Sequence, residues 1–422
     1  MPVRRFDAPS FADVLRARAQ PAALSAERAA VAEICARVQA EGDAALRELG
    51  RRFDGWAPGP GESFDVPERD RVAAWDRLDP RDIAALGMAA KRITEFHERQ
   101  VDARGDQAAP LRLVTRPVRR VGLYTPGGRA AYPSTVLMTA IPARVAGVEE
   151  IVLATPPRPD GTVPDAILAA ALIAGGVSRV LRIGGAQAIA ALAYGTESIP
   201  RVDVVAGPGN VYVTLAKREV FGVVGVDGIA GPTEVVILAD DRARPDFVAA
   251  DLAAQLEHDP MAWGVLVTDS AALADRVEEE LENLVNGLDR AAIIRSANCC
   301  LVVTRDLDEA IGVVDDFAPE HLVVLASDED GIAARIRNAG AIFVGPYSTV
   351  PLGDYTAGPN HTLPTSGAAR FGSPLGVHTF QKRTSVLRME RADVEELRDA
   401  TVRLAELEGL GAHAHAVEVR LE

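Results

Sequence analysis

Five short apolar runs decide the fold class of this chain: VGLYTPGG (121–128), EEIVLATPP (149–157), VSRVLRIGG (177–185), RVDVVAGPG (201–209) and EVVILAD (234–240). Helical, alanine-rich segments separate most of these runs. Alternation of strands with helices is typical of a parallel β-sheet whose faces are covered by the helices. The stretch from Arg119 to about Asp241 is therefore predicted to form an α/β unit.

A second series of apolar runs follows, and helical patterns such as AALADRVEEELENLV (271–285) separate its members: WGVLVTDS (263–270), CCLVVTRD (299–306), EHLVVLASD (320–328) and GAIFVGPYS (340–348). Residues 1 to about 115 have helical spacing, and the last forty residues return to a charged helix, VEELRDATVRLAELEGL (394–410). The sequence thus predicts two α/β units with helical pieces at both ends.

The composition narrows the possible partners. The 422 residues carry a formal charge of −15, which opposes binding to nucleic acid or to an anionic membrane surface. No run approaches the roughly 18 uncharged apolar residues that a membrane-spanning helix needs, and MPVRRFDAPSF (1–11) lacks an apolar signal core. We therefore expect a cytoplasmic enzyme or binding protein with neither nucleic-acid nor membrane partners.

Three cysteines, Cys35, Cys299 and Cys300, form no CxxC pair and cannot build a disulfide framework. Cys299 and Cys300 lie in NCCLVVTR (298–305), which has the pattern of a buried strand, so they are interpreted as small core residues. A catalytic thiol is the alternative. No histidine or basic residue lies near them in sequence to lower a thiol pKa.

Three glycine-rich turns follow strands, at Tyr124–Gly128, Gly184–Gln187 and Gly207–Asn210. In an open parallel sheet, ligands bind at the carboxyl ends of strands, where glycine permits close backbone approach and helix N-termini favour phosphate. The turns therefore suggest a nucleotide cleft. They are also compatible with ordinary strand-to-helix turns, because the sequence has no clean GxGxxG fingerprint.

Candidate metal ligands cluster late in the chain. Gln255 and His258 are three residues apart in QLEHDP (255–260), so both are predicted on one face of the last turn of a helix ended by Pro260. Asp354 lies in the predicted loop PLGDYTAGPNHTLP (351–364), and the tail carries two histidines. Imidazole, carboxylate and amide groups together suit Zn²⁺. Each ligand alone is equally compatible with an ordinary surface residue.

Glu320 and His321 open a predicted strand. Neighbouring residues on a strand point to opposite faces, but at the start of a strand the backbone can turn enough for both side chains to reach one cleft. Together they would provide two proton acceptors, as an oxidation of an alcohol to an acid requires. The alternative is an acidic residue and a histidine that cap a sheet edge.

Across the whole chain the sequence resembles the histidinol dehydrogenase family, on strings in the same order and with comparable spacing: VGLYTPGGRAAYPSTVLMTAIPA (121–143), GPGNVYVTLAK (207–217), AGPTEV (230–235), QLEHDP (255–260), APEHL (318–322), GDYTAGPNHTLPT (353–365) and LEGLGAHAHAVEVR (407–420). The resemblance implies oxidation of L-histidinol through L-histidinal to L-histidine, the last steps of histidine biosynthesis, with one zinc per site and two NAD. It also implies a homodimer with shared active sites.

The fold implied by the resemblance consists of two incomplete Rossmann-like parallel-sheet domains with small terminal pieces. The expected division is an N-terminal arm (1–25), a first α/β domain carrying the metal and proton-acceptor residues (26–123 with 233–376), a second α/β domain on the nucleotide side (124–232), and a tail (377–422) that contributes to the partner's site.

Residue by residue, the resemblance implies these roles: catalytic Glu320 and His321; metal ligands Gln255, His258, Asp354 and His413, the last from the neighbouring subunit; nucleotide contacts Tyr124, Gln187 and Asn210; and substrate contacts Thr233, Gln255, His258, His321, Asp354, His361, Glu408 and His413. The family usually has Ser at the position of Thr233, which keeps the hydroxyl and adds a methyl. His415 matches no required position, but it leaves open which tail histidine binds metal.

Three other functions are compatible with parts of this pattern. An enzyme on the same scaffold could oxidise another small alcohol, such as a sulfonated diol, because specificity depends on pocket details. A zinc-dependent binding protein without catalysis would not need the Glu320–His321 pair. A structural zinc protein would favour cysteine ligands, which are not suitably spaced here.

Overall fold

The computed structural model describes residues 3–18, 24–101, 110–127 and 131–422. Gly128 of the first glycine-rich turn and residues 1–2 and 19–23 of the predicted arm lie outside these ranges. The contacts within the chain divide it into two compact units. The first unit comprises Met1–Val101 and Val118–Phe380, and the second comprises Asp102–Pro117 and Gln381–Glu422.

The strands of the described chain are β1 (Arg4–Asp7), β2 (Leu111–Pro117), β3 (Arg120–Tyr124), β4 (Glu150–Thr155), β5 (Val177–Arg182), β6 (Val204–Ala206), β7 (Gly225–Val226), β8 (Glu234–Ala239), β9 (Trp263–Thr268), β10 (Asn298–Val303), β11 (His321–Leu325), β12 (Ala341–Val344) and β13 (Gln381–Leu387).

The helices are α1 (Ala8–Arg18), α2 (Ser25–Glu41), α3 (Asp43–Phe53), α4 (Glu68–Arg77), α5 (Pro80–Glu98), α6 (Pro133–Ala146), α7 (Asp165–Ala174), α8 (Gly185–Tyr194), α9 (Val211–Val220), α10 (Pro245–Leu256), α11 (Ala271–Val285), α12 (Ala291–Ser296), α13 (Leu307–Phe317), α14 (Glu329–Arg335), α15 (Val350–Tyr355), α16 (Arg391–Leu407) and α17 (Gly411–Glu418). Two short 3₁₀ helices span Ala368–Arg370 and Val377–Phe380.

One parallel sheet of the first unit has five strands in the order β5-β4-β3-β6-β7. The chain begins this sheet at the central strand β3, moves outward to β5, and then returns to the other side of β3. This is the order of a Rossmann sheet, and its reversal point lies between β3 and β6. Gly122 allows α8 to pack closely, because a Cβ at that position would lie 2.9 Å from a methyl group of Leu192.

The other parallel sheet has six strands in the order β1-β10-β9-β8-β11-β12. The run EVVILAD, which the sequence grouped with the first series, forms β8 of this sheet. The two-residue strand β7 takes the fifth place in the other sheet. The prediction of two parallel sheets is confirmed, but the grouping of EVVILAD with the first series of strands is wrong. The reason is that strand periodicity does not specify which sheet a strand joins.

Helices α2 to α5 pack on the helices that flank the five-stranded sheet: α2 on α8 and α9, α3 on α8, α4 on α7, and α5 on α6 and α7. Val31, Leu46 and Leu49 share a buried cluster with Leu181 and Leu192. This arrangement differs from the predicted division, which joined residues 26–123 to the metal-bearing domain. It arises because the apolar residues of α2 and α3 are buried with those of α8 and α9, and the apolar residues of α4 and α5 with those of α6 and α7.

The start of the predicted N-terminal arm is part of the six-stranded sheet. Strand β1 pairs in parallel with β10, from Arg4 beside Cys300 to Asp7 beside Val303. Phe11 of α1 is fully buried and stacks on Phe317, with 6.3 Å between the ring centroids. The helical pattern of residues 1–115 therefore concealed an edge strand.

The cysteines are core residues, as predicted. Cys35, Cys299 and Cys300 are all buried and unpaired. Burial raises the pKa of the Cys35 thiol to about 12, and it also raises the pKa of Cys299 and Cys300. A thiol that stays protonated is a poor nucleophile, so these side chains do not support thiol catalysis.

The second unit is small. Strands β2 and β13 form an antiparallel ribbon from Leu111 beside Leu387 to Pro117 beside Gln381, and α16 packs on α17. Leu404, Leu407 and Leu410 are exposed at its helical end. Separately, none of the helices in the described ranges combines the length and apolar character needed to cross a membrane.

A buried ion pair fastens α1 to the six-stranded sheet and provides a test of the fold. The Arg18 guanidinium pairs with Glu234 and lies 3.8 Å from the Phe317 ring centroid, and the two charged side chains are 10% and 1% exposed. Arg18→Met should lower the free energy of unfolding by about 3–5 kcal/mol at pH 8, because Glu234 is then buried without a countercharge and must either stay ionised or take up a proton. Urea titration measures this loss.

The same variant has a pH dependence with a definite sign. Burial raises the pKa of Glu234 to about 7 in spite of Arg18, and loss of the guanidinium raises it further. Both folded proteins hold a proton that the unfolded chain releases, but the wild type loses it at about pH 7 and the variant keeps it to a higher pH, so the stability of the variant continues to fall above pH 7. The loss should therefore be smaller at pH 5 than at pH 8. Arg16→Met, at the exposed pair with Asp13, is the control and should change little at either pH.

Candidate active site

Three predicted site residues, Thr233, Glu320 and His321, lie with the neighbouring Glu234 at the amino edge of the six-stranded sheet. Strand β8 begins at Glu234, directly after Thr233, and β11 begins at His321, directly after Glu320. The two strands pair in parallel with His321 beside Val235. Open parallel sheets usually bind ligands at the carboxyl edge. Here the carboxylate, hydroxyl and imidazole groups lie at the opposite edge, because β8 and β11 are neighbours in the sheet and both begin there.

The Glu320 carboxylate is buried and held by two donors. Its Oε2 accepts hydrogen bonds from the Thr233 hydroxyl at 2.6 Å and from the Glu234 backbone N–H at 2.9 Å. Burial raises the pKa of Glu320, and the nearby His321 opposes this rise. A carboxylate with a raised pKa is a stronger proton acceptor than an exposed one.

The His321 ring has one engaged nitrogen and one open nitrogen. Its Nδ1 donates to the Glu234 carbonyl oxygen at 3.0 Å. Its buried Nε2 has no hydrogen-bond partner, and the nearest carboxylate oxygen, Asp354 Oδ1, lies 3.6 Å away. Burial alone would lower the pKa of His321, but the carboxylates of Glu320 and Asp354 outweigh it and raise that pKa. In the neutral ring, this arrangement leaves Nε2 as the proton acceptor.

Gln255 and His258 reach the same edge from the end of α10. The helix ends at Leu256, so His258 lies beyond it, and the predicted shared helix face is wrong for His258. A backbone bond of 3.3 Å from His258 N–H to the Gln255 carbonyl nevertheless continues the turn. The Gln255 amide nitrogen donates to the Thr233 hydroxyl, which leaves the amide oxygen as its free ligand atom. A helix C-terminus also favours a bound cation.

Asp354 and His361 come from one segment. Asp354 lies in the short helix α15, not in the predicted loop. The Asp354 carbonyl accepts a hydrogen bond of 2.9 Å from His361 Nδ1, and His361 Nε2 lies 3.5 Å from the Thr135 hydroxyl on α6. Burial alone would raise the pKa of Asp354, but the nearby rings of His321, His361 and His258 lower it. Asp354 therefore remains an anion close to three imidazoles.

Gln255, His258 and Asp354 offer amide oxygen, imidazole nitrogen and carboxylate oxygen, which are suitable ligand atoms for a divalent cation. In the described chain, Arg18 is the only arginine or lysine that forms an ion pair with any of the three carboxylates Glu234, Glu320 and Asp354. No group of three His, Cys, Asp or Glu side chains in the described ranges is arranged to hold a metal ion by itself. A site here would need the Gln255 amide oxygen and a further ligand in addition to His258 and Asp354.

Two more predicted site residues, Glu408 and His413, and the alternative metal ligand His415 lie in the second unit. Glu408 follows the last residue of α16, and His413 and His415 lie in α17; all three side chains are exposed. Their solvent exposure leaves them accessible to a ligand or to another chain.

The predicted nucleotide residues line one cleft at the carboxyl edge of the five-stranded sheet. Tyr124 ends β3, Gln187 lies in the first turn of α8, and Asn210 caps α9 by accepting from the Tyr212 and Val213 N–H groups. All three predicted residues border a cavity of about 860 Å³. The volume is within the range of small-molecule sites, so the glycine-rich turns do converge on one cleft.

A second cleft, of about 540 Å³, joins the two sheets. Gly207 and Gly209 line it from the turn after β6, and Thr233, Glu320 and His361 line it from the other side. The carboxyl edge of one sheet therefore faces the amino edge of the other. A ligand that spans both clefts would reach from the glycine-rich turns to Glu320.

Sequence reasoning did not single out the groups that hold these turns. Lys217 forms a buried ion pair with Asp227 and donates to the Gly207 carbonyl at 3.1 Å, while Asp227 accepts from the Gly207 N–H at 2.8 Å. Gly207 has φ +117°, and a Cβ there would lie 2.1 Å from the Tyr124 carbonyl oxygen. Asp54, which directly follows α3, was also missed; its only signal was a carboxylate at a helix end before glycine.

Comparison with known protein families gives a match over nearly the whole chain. The family model described as histidinol dehydrogenase matches residues 17–421. The histidinol dehydrogenase of Parasynechococcus marenigrum is 49% identical over 391 residues, which cover 91% of this chain and 89% of that protein. The corresponding protein of Halalkalibacterium halodurans is 48% identical over 402 residues, 93% of each chain.

The fold has a close counterpart among solved structures. The crystal structure of histidinol dehydrogenase from Elizabethkingia anophelis superposes with a TM-score of 0.91 at 32% identity, and the superposition covers 99% of this chain and 98% of the other. The likeness therefore extends over both sheets and both ends of the chain.

The Thr233 hydroxyl links Gln255 to Glu320 and can be tested by an isosteric change. Thr233→Val removes a donor to the buried Glu320 carboxylate, so the free energy of unfolding at pH 8 should fall by about 1–3 kcal/mol. Thr233→Ser keeps the hydroxyl and should lose less. A loss in Thr233→Ser as large as that in Thr233→Val, measured by urea titration, would mean that packing of the methyl group matters as much as the hydrogen bond.

Proposed function

This chain belongs to the histidinol dehydrogenase family, and from that membership we propose that it oxidises L-histidinol through L-histidinal to L-histidine, with one zinc per site and two molecules of NAD. It is an oxidoreductase of that family. The observation that carries the mechanism is the pair of proton acceptors at the start of β11: His321 with an open Nε2, and Glu320 with a raised pKa.

The residues that would hold zinc are Gln255, His258 and Asp354, together with His413 from a second copy. Those that would contact NAD are Tyr124, Gln187 and Asn210. When bound, zinc would orient the imidazole and amino groups of the substrate, and the nicotinamide ring would accept a hydride in each oxidation. The amide oxygen, imidazole and carboxylate donors support zinc, and the cleft of about 860 Å³ supports a dinucleotide.

In the first oxidation, His321 takes the proton of the substrate hydroxyl at Nε2. Its Nδ1–H stays on the Glu234 carbonyl, which fixes the ring orientation throughout. Because Nε2 has no hydrogen-bond partner in the protein, it can accept a substrate proton without breaking a bond. The carbon that loses its hydride becomes the aldehyde carbon of L-histidinal.

In the second oxidation, Glu320 takes a proton from the water that attacks the aldehyde. Thr233 and the Glu234 N–H both bond to Oε2, so Oε1 is the oxygen available to the water. The hydrated aldehyde then loses its hydride and becomes the carboxylic acid. Two acceptors with separate positions allow both steps to proceed in one site.

We propose a homodimer with shared sites as the assembly. Glu408 and His413 would contact the substrate of the neighbouring subunit, and His413 would complete its metal site. The exposed position of both residues and the exposed leucines beside them, Leu404 and Leu407 at 61% and 67%, support this assignment.

A product analysis with Glu320→Gln tests the function. The wild-type protein with L-histidinol should release two NADH per L-histidine, measured by absorbance at about 340 nm and by chromatography. Glu320→Gln should still form the aldehyde, but the second oxidation should slow by about 10²–10⁴-fold, the usual contribution of a general base. Trapping with a carbonyl reagent detects the aldehyde.

The matched control is Glu280→Gln, an exposed change on α11, which should leave both steps unchanged. Undiminished L-histidine production by Glu320→Gln would remove Glu320 from the second step. Faster oxidation of a sulfonated diol than of L-histidinol by the wild-type protein would replace the proposed substrate.

Metal retention tests the ligand set independently of activity. The dialysed wild-type protein should keep about one zinc per chain by elemental analysis, and His258→Ala or Asp354→Asn should lose it, because a three-ligand remnant binds zinc weakly. Asp259→Asn, beside His258 in an exposed turn, should keep its metal. His413→Ala should lose zinc and His415→Ala should not; the reverse result would assign the metal to His415.

A further inference from the structure

The five-stranded sheet lacks the acidic residue that a dinucleotide-binding sheet usually carries. In such sheets a carboxylate near the end of the second strand binds the hydroxyls of the adenosine ribose. The second strand here is β4, which ends at Thr155 and continues as Pro156-Pro157-Arg158. Asp160, the next carboxylate along the chain, is exposed and accepts hydrogen bonds from Thr162.

A carboxylate that does not belong to the sheet, that of Asp54, lies near the end of β4, where such an acidic residue would be expected. Asp54 follows the last residue of α3, and its Oδ2 accepts a hydrogen bond of 3.1 Å from the Gly184 N–H, just after β5. A Cβ placed on Gly184 would lie 2.5 Å from Asp54 Oδ1 and 2.6 Å from Pro156 Cβ. Asp54 therefore borders the ends of both β4 and β5, and it lines the same cleft as Tyr124 and Gln187.

The helix N-termini of this cleft are occupied by the protein itself. At the start of α8, the Gly184 N–H donates to Asp54 and the Gly185 N–H donates to the Tyr124 hydroxyl at 3.0 Å. At the start of α9, the Asn210 side chain accepts from two backbone N–H groups. These four backbone N–H groups are therefore engaged within the protein and are not free for a dinucleotide phosphate.

Asp54 keeps one oxygen for a ligand. Its Oδ2 also accepts from the Gln187 amide nitrogen at 3.3 Å, whereas within the described ranges no donor bonds to Oδ1 and no cation pairs with the carboxylate. Two arginines, Arg52 and Arg158, line the cleft from exposed positions. They can pair with the diphosphate that NAD and NADP share, so they do not distinguish the two dinucleotides.

We propose that Asp54 selects NAD over NADP: its free carboxylate oxygen accepts hydrogen bonds from the hydroxyls of the adenosine ribose and repels a phosphate at the 2′ position. This assignment rests on the proposed use of a dinucleotide in this cleft. An ionised carboxylate near a phosphate dianion is unfavourable, whereas a ribose hydroxyl is a matched donor to it.

Direct binding of NADH and NADPH, followed by nicotinamide fluorescence without any alcohol substrate, tests the assignment. The wild-type protein should bind NADH more tightly than NADPH. Asp54→Asn keeps an oxygen for the Gly184 N–H but loses the charge, so the ratio of the two Kd values should shift towards NADPH by on the order of tenfold or more. Asp54→Ser, which opens space for a phosphate, should shift it in the same direction.

Asp160→Asn removes one negative charge from the loop after β4 without touching the cleft, and it should leave both Kd values unchanged. If Asp54→Asn and Asp54→Ser weaken NADH and NADPH by the same factor, Asp54 only supports Gly184 and Gln187, and the assignment is overturned. If the wild-type protein binds neither dinucleotide, the proposed function itself fails, together with this inference.

Discussion

The parallel pairing of β8 with β11 is the constraint on which the site depends. It places the Glu320 carboxylate between the Thr233 hydroxyl and the Glu234 N–H, and it directs the His321 Nδ1–H to the Glu234 carbonyl. A one-residue slip in this register would turn every side chain of the strand to the other face. Buried polar groups with specific partners thus determine both the strand register and the chemistry.

The opposed polarity of the two sheets gives the cleft its composition. The five-stranded sheet contributes its carboxyl edge, with glycine-rich turns and helix N-termini. The six-stranded sheet contributes its amino edge, where α10 ends near Gln255 and His258. A helix C-terminus attracts cations, so the wall that carries Gln255 and His258 favours a cation, and the facing wall carries the cleft that Tyr124, Gln187 and Asn210 line.

Two buried ion pairs hold the backbone segments that line the cleft. Arg18 with Glu234 ties α1 to the start of β8, and Lys217 with Asp227 holds the backbone of Gly207. Buried pairs of this kind contribute less to net stability than to a unique arrangement, but each is costly to break because one charge remains desolvated. Arg18 and Glu234 are 216 positions apart in the chain, so only the tertiary fold brings them together.

The sequence alone determined the α/β class, most strands, the buried cysteines and the family, because apolar runs and local motifs are readable without distant contacts. Strand periodicity alone did not assign EVVILAD to the six-stranded sheet, although the family resemblance placed residues 233–376 in the metal-bearing domain. The sequence also did not determine that α2 to α5 pack on the helices of the five-stranded sheet, or that Asp54 borders the ends of β4 and β5. Those features depend on contacts between residues far apart in the chain. Only the tertiary structure decides them, since strand periodicity and composition are the same whichever partner is chosen.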